Sequence, residues 1–453
     1  MSQTFDYVIL GTGQATGTLL GKLIPEGGTI AVIEGGRIGG SCVNYGCTPT
    51  KTLVASARAV HMARRGEEFG FKTGDITVDF DRVRERMNGI RNSSSDGLEN
   101  WMKNTDAVTL IKEWGKFIDQ KTIQAGEETI QGKTIFINTG TRPFKPPVNG
   151  IDDVAWLDSA GLLDLKELPE HLVILGGGYI GCELGQIYRR LGSEVTILQR
   201  DNQLMPREDS DLAEAVEEIL QNEGIRVKTG TEAEAASESN GRVTVSLSNG
   251  EEVQGSHLLV AAGRRPNSRS INPDAAGIML DKKGFIHVDD HCRTTADDIF
   301  AVGDVNGEGA FTHTSVNYAE VVLDTLFGGD RAISKRNVIY SLFTDPPLGR
   351  VGMTEKEAVA AGHNVLKAIR PMSKISRAKE MGETKGFAKL LVDADTDLIL
   401  GAAILGPGGD EIINMFAAIM HSEIPCREYR KVVLVHPTVS ELMPWVLDGL
   451  EPV

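Results

Sequence analysis

Two stretches of this chain are written alike, and that repetition limits its possible folds more than any other feature. Tyr7-Val8-Ile9-Leu10 runs into Gly11-Thr12-Gly13, and Leu172-Val173-Ile174-Leu175 runs into Gly176-Gly177-Gly178. Behind each glycine loop comes a segment of helical period and then a second β-rich run, at residues 29–33 and 194–198. Buried strand, glycine turn, helix and strand make a βαβ unit, here present twice. A second echo, residues 135–143 against 258–266, follows each unit in the same order. Two related nucleotide-binding domains are the simplest reading. From about Ile339 the pattern changes. Strand-like runs at 389–392 and 402–405 accompany helical patterns at 356–361 and 411–421. Thr354-x-x-Glu357 has capping-box spacing, and Gly362 is placed to end that helix. This part holds no glycine-rich nucleotide loop and reads as α+β.

In the first loop, Gly11-x-Gly13 lets the backbone turn tightly and meet a pyrophosphate at a helix N-terminus. Thr16 stands where a third glycine is expected, with Gly17 beside it, which implies a slightly wider helix–strand contact. Glu34, ending the second strand, is suited to accept hydrogen bonds from ribose hydroxyls. An ordinary tight turn is the competing reading. The second loop, Gly176-x-Gly178-x-x-Gly181, is complete. Gln199 stands where a carboxylate would favour a free ribose; Arg200 follows and Arg207 is near. That arrangement suits a 2′-phosphate, hence NADPH rather than NADH. Otherwise Arg200 pairs with Asp201, Glu208 or Asp209 on the surface.

Cys42 and Cys47 lie in Gly39-Gly40-Ser41-Cys42-Val43-Asn44-Tyr45-Gly46-Cys47-Thr48-Pro49-Thr50-Lys51, beside a proline-marked helix start. A thiolate near a helix N-terminus or a cation has a lowered pKa and becomes reactive. Two buried free cysteines are the alternative. No companion Cys/His cluster supplies the further ligands a metal needs.

The length, 453 residues, suits two or three domains. A net charge of −16 disfavours nucleic acid and anionic membranes, which demand clustered Lys and Arg. No apolar run approaches the ~18 residues of a membrane span. The first residues lack a basic n-region and lead into a strand, so no signal peptide is expected. Five cysteines, odd and sparse, point to a reducing compartment and so to the cytoplasm.

On its cysteine segment above all, the chain resembles the class I pyridine nucleotide–disulfide oxidoreductases over nearly its whole length. That family includes dihydrolipoamide dehydrogenase, glutathione reductase and mercuric reductase. Gly-Thr-Gly-Gln-Ala at 11–15 and Phe-Thr-Asp-Pro-Pro at 343–347 bring it nearest the mercuric-reductase-like branch. The resemblance implies an α/β fold of two Rossmann-like dinucleotide-binding domains and a C-terminal α+β dimerisation domain. Residues 1–152 and 278–335 would form a discontinuous FAD domain, 153–277 the NAD(P) domain and 336–453 the dimerisation domain.

The same resemblance implies roles position by position. Gly11, Gly13, Gln14, Ala15 and Glu34 would bind the ADP half of FAD. Gly40, Ser41, Gly115, Thr139 and Gly140 would complete that site, with Asp304 of Ala301-Val302-Gly303-Asp304 on the ribityl chain. Gly176, Gly178, Ile180, Gly181 and Gly263 would hold the pyridine nucleotide with Gln199, Arg200 and Arg207. Tyr179 would cover the flavin until the nicotinamide enters. Lys51 would sit by the flavin N5 and pair with Glu183. Cys47 would face the flavin, and Cys42 would meet the substrate. His436 and Glu441, in His436-Pro437-Thr438-Val439-Ser440-Glu441, match the family's acid/base pair, which reaches the other subunit's cysteines in a homodimer. Thr438-x-x-Glu441 is also a capping-box spacing, so Glu441 could instead start the last helix.

The function implied is transfer of electrons from NAD(P)H through FAD to Cys42–Cys47 and on to a small-molecule acceptor of the disulfide type. Reduction of mercuric ion, another metal or a quinone is the alternative. Mercuric reductases usually carry a terminal cysteine pair, whereas this chain ends Gly-Leu-Glu-Pro-Val; Cys292 and Cys426 read as buried small hydrophobes. Dihydrolipoamide enzymes usually hold an acid where Gln199 stands. A low-turnover redox sensor or complex subunit is the reading from another class.

Overall fold

A computed structural model describes residues 2–453. Its first sheet is built on the strand Ser2–Leu10, which pairs in parallel with Ile30–Ile33 on one side and Glu128–Ile137 on the other. Val108–Ile111 extends it beyond Ile30–Ile33, and an antiparallel meander of Gly115–Asp119 and Thr122–Ala125 extends the other flank. The strand Ile299–Ala301, far downstream, joins in parallel with residues 135–137. The helix Thr312–Leu326 then packs on Ala15–Leu23. Tyr318, Ala319 and Val322 share a solvent-free cluster there with Leu19, Val32 and Phe136.

The second sheet repeats the plan. Its parallel strands run Arg226–Lys228, Glu194–Leu198, His171–Leu175, His257–Val260, Trp156–Leu157, with a three-stranded antiparallel ribbon beside them. In both sheets the strand carrying the glycine loop lies centrally; counting parallel strands from it along the chain, the second flanks it on one side and the fourth on the other. That is the doubly wound order, with a topological switch at the glycine loop where ligands bind. The fully buried strands read as continuous apolar runs for the reason parallel sheets require: both faces are covered.

The duplication extends to backbone detail. Gly11 has φ +100° and a Cβ there would stand 2.4 Å from the Asn138 carbonyl oxygen; Gly176 has φ +111° and a Cβ would meet Ala261 O at 2.5 Å. Only glycine tolerates either position. In the second loop a Cβ at Gly181 would press to 2.0 Å from Gly176 O. In the first loop Thr16 carries its Cβ at the equivalent place and donates from its hydroxyl to Gly11 O at 3.0 Å. The tails of the second echo meet each other: Thr141–Pro143 and Arg264–Pro266 pair antiparallel.

The C-terminal part is a six-stranded antiparallel sheet covered by the helix Gly409–His421. Thr354 caps the helix Glu355–Ala360 with the full reciprocal capping box, and Gly362 follows at φ +85°. Residues 440–449 form 3-10 turns rather than the α-helix that the Thr438 spacing suggested. Among the described residues no helix is long and apolar enough to cross a membrane.

Candidate active site

Cys42 lies in the short helix Gly40–Tyr45, and Cys47 is the first residue of the next helix, Cys47–Arg64. The first turn of that 18-residue helix leaves backbone N–H groups unpaired, which favours negative charge on Cys47. Thr312, first residue of its own helix, places one hydroxyl 3.1 Å from the Cys42 sulfur and 3.3 Å from the Cys47 sulfur. A hydrogen bond from Cys42, then Thr312 and the Lys51 charge, bring the Cys47 pKa down from the usual thiol range to about 6. The same bond to Cys47, together with burial, pushes the Cys42 thiol strongly upward. The two sulfurs are thus biased in opposite senses, Cys47 toward the thiolate and Cys42 toward the thiol.

Lys51 stands one turn beyond Cys47. Its Nζ donates to Glu183 Oε2 at 2.7 Å and lies 4.3 Å from the centre of the Phe343 ring. Glu183 is buried, and its other oxygen accepts the Phe343 N–H at 2.8 Å. A buried carboxylate with two donors pins the ammonium beside the thiol pair.

His436 and Glu441 form a separate pair, and neither bonds to the cysteine cluster of its own chain. His436 Nδ1 lies 2.9 and 3.0 Å from the two Glu441 oxygens. The His436 side chain is 77% exposed and that of Glu441 14%. Thr438 accepts the Glu441 N–H, so half of a capping box exists, but the Glu441 carboxylate turns to His436 instead of closing it.

The first glycine loop and Glu34 are tied together: Thr12 donates to Glu34 Oε2 from N at 2.8 Å and from Oγ1 at 2.7 Å, and Gly36 N donates to Oε1. Gln14 donates to Gly39 O, and a Cβ on Gly40 (φ +61°) would approach Gly13 Cα to 3.0 Å. Ala15 begins the first helix buried, while Ser41 is exposed on the next one. Gly115 opens its strand where a Cβ would strike Leu10 at 2.6 Å. Across the switch point, Gly140 has φ +62° and the buried Thr139 hydroxyl has no partner. Asp304 accepts from Thr141 at 3.0 Å, and burial raises its carboxyl pKa. An orphaned hydroxyl, a buried carboxylate and glycine-only backbone on one rim fit a dinucleotide with ribityl hydroxyls.

At the second loop, Gln199 Oε1 accepts the Gly177 N–H and its amide donates to Asp201, both at 2.7 Å. Gly178 precedes the helix Tyr179–Leu191 with empty space where a Cβ would go. Ile180 is exposed at that helix start, and Gly263 has φ +126°. Arg200 and Arg207 are exposed and, among the described residues, make no ion pair. The acids that could have taken them are engaged elsewhere: Glu208 by Tyr179 and Tyr340, Asp209 by Lys389, Asp201 by Gln199.

Sequence reasoning missed Thr312, Glu208, Tyr340 and Phe343. Thr312 is 265 positions from Cys47. The one available hint was its place at a helix start just past Asp304.

Comparison with known proteins identifies the family. Residues 5–320 match the pyridine nucleotide-disulphide oxidoreductase family, and residues 338–447 match the dimerisation domain of the same family. A probable pyridine nucleotide-disulfide oxidoreductase, RclA of Escherichia coli (strain K12), is 38% identical over 96% of this chain and 97% of its own. The mercuric reductase of Staphylococcus aureus is 32% identical over 90% of this chain and 76% of its own. The dihydrolipoyl dehydrogenase of Geobacillus stearothermophilus is 31% identical over 96% and 94%. Among solved structures, the Cu(II) complex of the HOCl-induced flavoprotein disulfide reductase RclA from Escherichia coli superposes with a TM-score of 0.89 at 36% identity, covering 98% of both chains. The chain belongs to the class I pyridine nucleotide–disulfide oxidoreductases, homodimer-forming flavoenzymes that use FAD and a pyridine nucleotide.

Proposed function

We propose that this enzyme carries two electrons from NADPH to a Cys42–Cys47 disulfide and onward to a small disulfide-type acceptor. One observation carries the reading: two cysteine sulfurs that share the Thr312 hydroxyl, beside the Lys51–Glu183 pair. FAD, when bound, would supply the hydride and electron-pair chemistry between nucleotide and sulfur. Gly11, Gly13, Thr139, Gly140 and Asp304 would hold it, and Lys51 would offer it a positive charge. The balance is NADPH, one proton and a disulfide giving NADP⁺ and two thiols.

The Cys47 pKa is lowered by its bonds to Cys42 and Thr312 and by the Lys51 charge, which suits Cys47 to the flavin side. Cys42 leaves as a thiol and must give up its proton before it exchanges with a substrate through a mixed disulfide. His436 serves the other subunit's cysteines: Glu441 fixes the proton on Nδ1, and exposed Nε2 is left to take the Cys42 proton or to protonate a departing thiol. The unpaired Arg200 and Arg207, with neutral Gln199 beside the loop, support NADPH over NADH. Sparse cysteines, three of them buried thiols, support a cytoplasmic setting.

The test is anaerobic titration of the holoenzyme with NADPH, counting thiols before and after. Two new thiols per chain are expected, and none in Cys47→Ser; an unchanged count in the wild type sinks the proposal. Metal-ion reduction is the second reading, favoured by the mercuric reductase and Cu(II)-bound relatives. Disulfides, quinones, Hg(II) and Cu(II) assayed with wild type and Cys42→Ser separate the two. An acceptor indifferent to loss of Cys42 is not served by the sulfur pair.

A further inference from the structure

Glu208 lies in the turn between the strand Glu194–Leu198 and the helix Ser210–Asn222, its side chain shielded completely from solvent. Two phenols converge on one of its oxygens. Tyr179, first residue of the helix behind the second glycine loop, donates to Oε1 at 2.5 Å, and Tyr340, in the C-terminal sheet, donates to the same Oε1 at 2.6 Å. The two rings stand 5.6 Å apart, and Phe311 stacks on Tyr340 at 5.2 Å. Burial and the carboxylate push both phenol pKa values up, so both stay donors. Glu208 Oε2 has no hydrogen-bond donor. The nearest cation, Arg350, is buried with its Nε 3.7 Å away, and both Nε and Nη2 lack acceptors. Unsatisfied buried groups on both sides of a short gap are costly and call for an explanation.

We infer that Glu208 is a positioning residue: it latches Tyr179 over the nicotinamide position and keeps Tyr340 and Arg350 as the partners that receive its charge when Tyr179 swings away. The inference rests on the reading of Tyr179 as the residue that covers the flavin. The nucleotide must break a charge-assisted bond to enter, so its apparent affinity is lowered by the fraction of open states. Tyr340 works in the opposite sense. It keeps the carboxylate satisfied in the open state, and without it opening would leave Glu208 with no hydroxyl donor.

Calorimetric titration of the oxidised holoenzyme with NADP⁺ and with 2′-phospho-ADP-ribose, which lacks the nicotinamide, tests this. NAD⁺ and ADP-ribose are run in parallel. Tyr179→Phe and Glu208→Gln are each expected to tighten NADP⁺ binding about tenfold, the worth of one charged hydrogen bond. The double variant gains no more than either single change, because both break the same bond. Tyr340→Phe weakens NADP⁺ binding. None of them alters the affinity of the fragment, which does not reach the gate. In turnover the first two lower the KM for NADPH. Unchanged NADP⁺ affinity in Tyr179→Phe and Glu208→Gln overturns the latch, as does an equal gain for the fragment, which marks general loosening of the loop. A wild-type enzyme that forms no thiols with NADPH contradicts the electron route instead and leaves these affinities as a separate result.

Discussion

One hydroxyl, that of Thr312, sits within reach of both reactive sulfurs, and it can donate to one at a time. Its bond with the Cys47 sulfur helps hold the Cys47 pKa near 6, so the folded-state value lies below the unfolded one, which is about 8.5. The contribution of Cys47 to the stability of the reduced protein is full above that unfolded value and is lost as pH falls through about 6, whereas the raised Cys42 pKa works in the opposite sense above the unfolded value. Ultraviolet thiolate absorbance of dithiothreitol-reduced enzyme should titrate with this lower midpoint and vanish in Cys47→Ser. Thr312→Val removes a hydrogen bond worth ~1.5–3 kcal/mol to a charged group and should raise the midpoint by roughly one to two units. Thr312→Ser restores it. A Thr312→Val curve that overlays the wild type would show that the hydroxyl contributes nothing. Such a residue is invisible to pattern reading, because nothing local marks a threonine for a cysteine 265 positions away. Glu441 is the converse case. Its spacing from Thr438 allows two structures, and only the turn that presents its carboxylate to His436 decides between them.

At the scale of elements, the glycines divide into two kinds. Gly181 is closed to any side chain by the Gly176 carbonyl, whereas nothing lies within 4 Å of a Cβ placed on Gly178. Gly181→Ala should therefore strain the helix–strand contact and cost ~1–3 kcal/mol in denaturant unfolding. Gly178→Ala should unfold like the wild type yet bind the pyridine nucleotide at least about tenfold more weakly, because the added methyl fills the path of the pyrophosphate. Equal loss of stability in the two variants would contradict this division. These elements were legible because strand, glycine turn and helix are local patterns, and the chain states them twice. The strand His171–Leu175 begins one residue before the apolar run, and the capped helix Glu355–Ala360 shifts by one. What the pattern left open was pairing. Residues 135–143 and 258–266 were recognisable as copies, but that their tails would form one ladder depends on how the two sheets are set against each other.

Across the whole molecule, one buried ionic knot joins the three sheets' territories. Arg190, on the helix behind the second loop and 4% exposed, binds Glu223 at 2.8 Å and Asp345 at 2.5 Å. Arg58, from the helix that starts at Cys47, bonds to Asp345 and to Glu383. Arg190→Met leaves two carboxylates buried without their main cation and should cost ~3–5 kcal/mol in thermal or denaturant unfolding. A loss below about 1 kcal/mol would mean that Arg58 suffices. The exposed His436 gives a second expectation at this scale. Dilution or an interface variant that yields monomers should abolish disulfide turnover while NADPH still reduces the bound flavin; a fully active monomer would rule out sharing of sites.

The ladder between Thr141–Pro143 and Arg264–Pro266 has a further consequence. Pro143 and Arg264 are directly opposed, so the polypeptide leaves for the nucleotide-binding half and comes back at neighbouring points, about 5 Å apart. Excision of everything between them, spliced with a two-residue turn, would keep the backbone path of what remains; polar replacements at Leu53, Met87, Leu342 and Leu405 must accompany it, because these side chains pack against the excised half. The shortened protein should still turn yellow, and dithionite should bleach it while NADPH leaves its colour untouched.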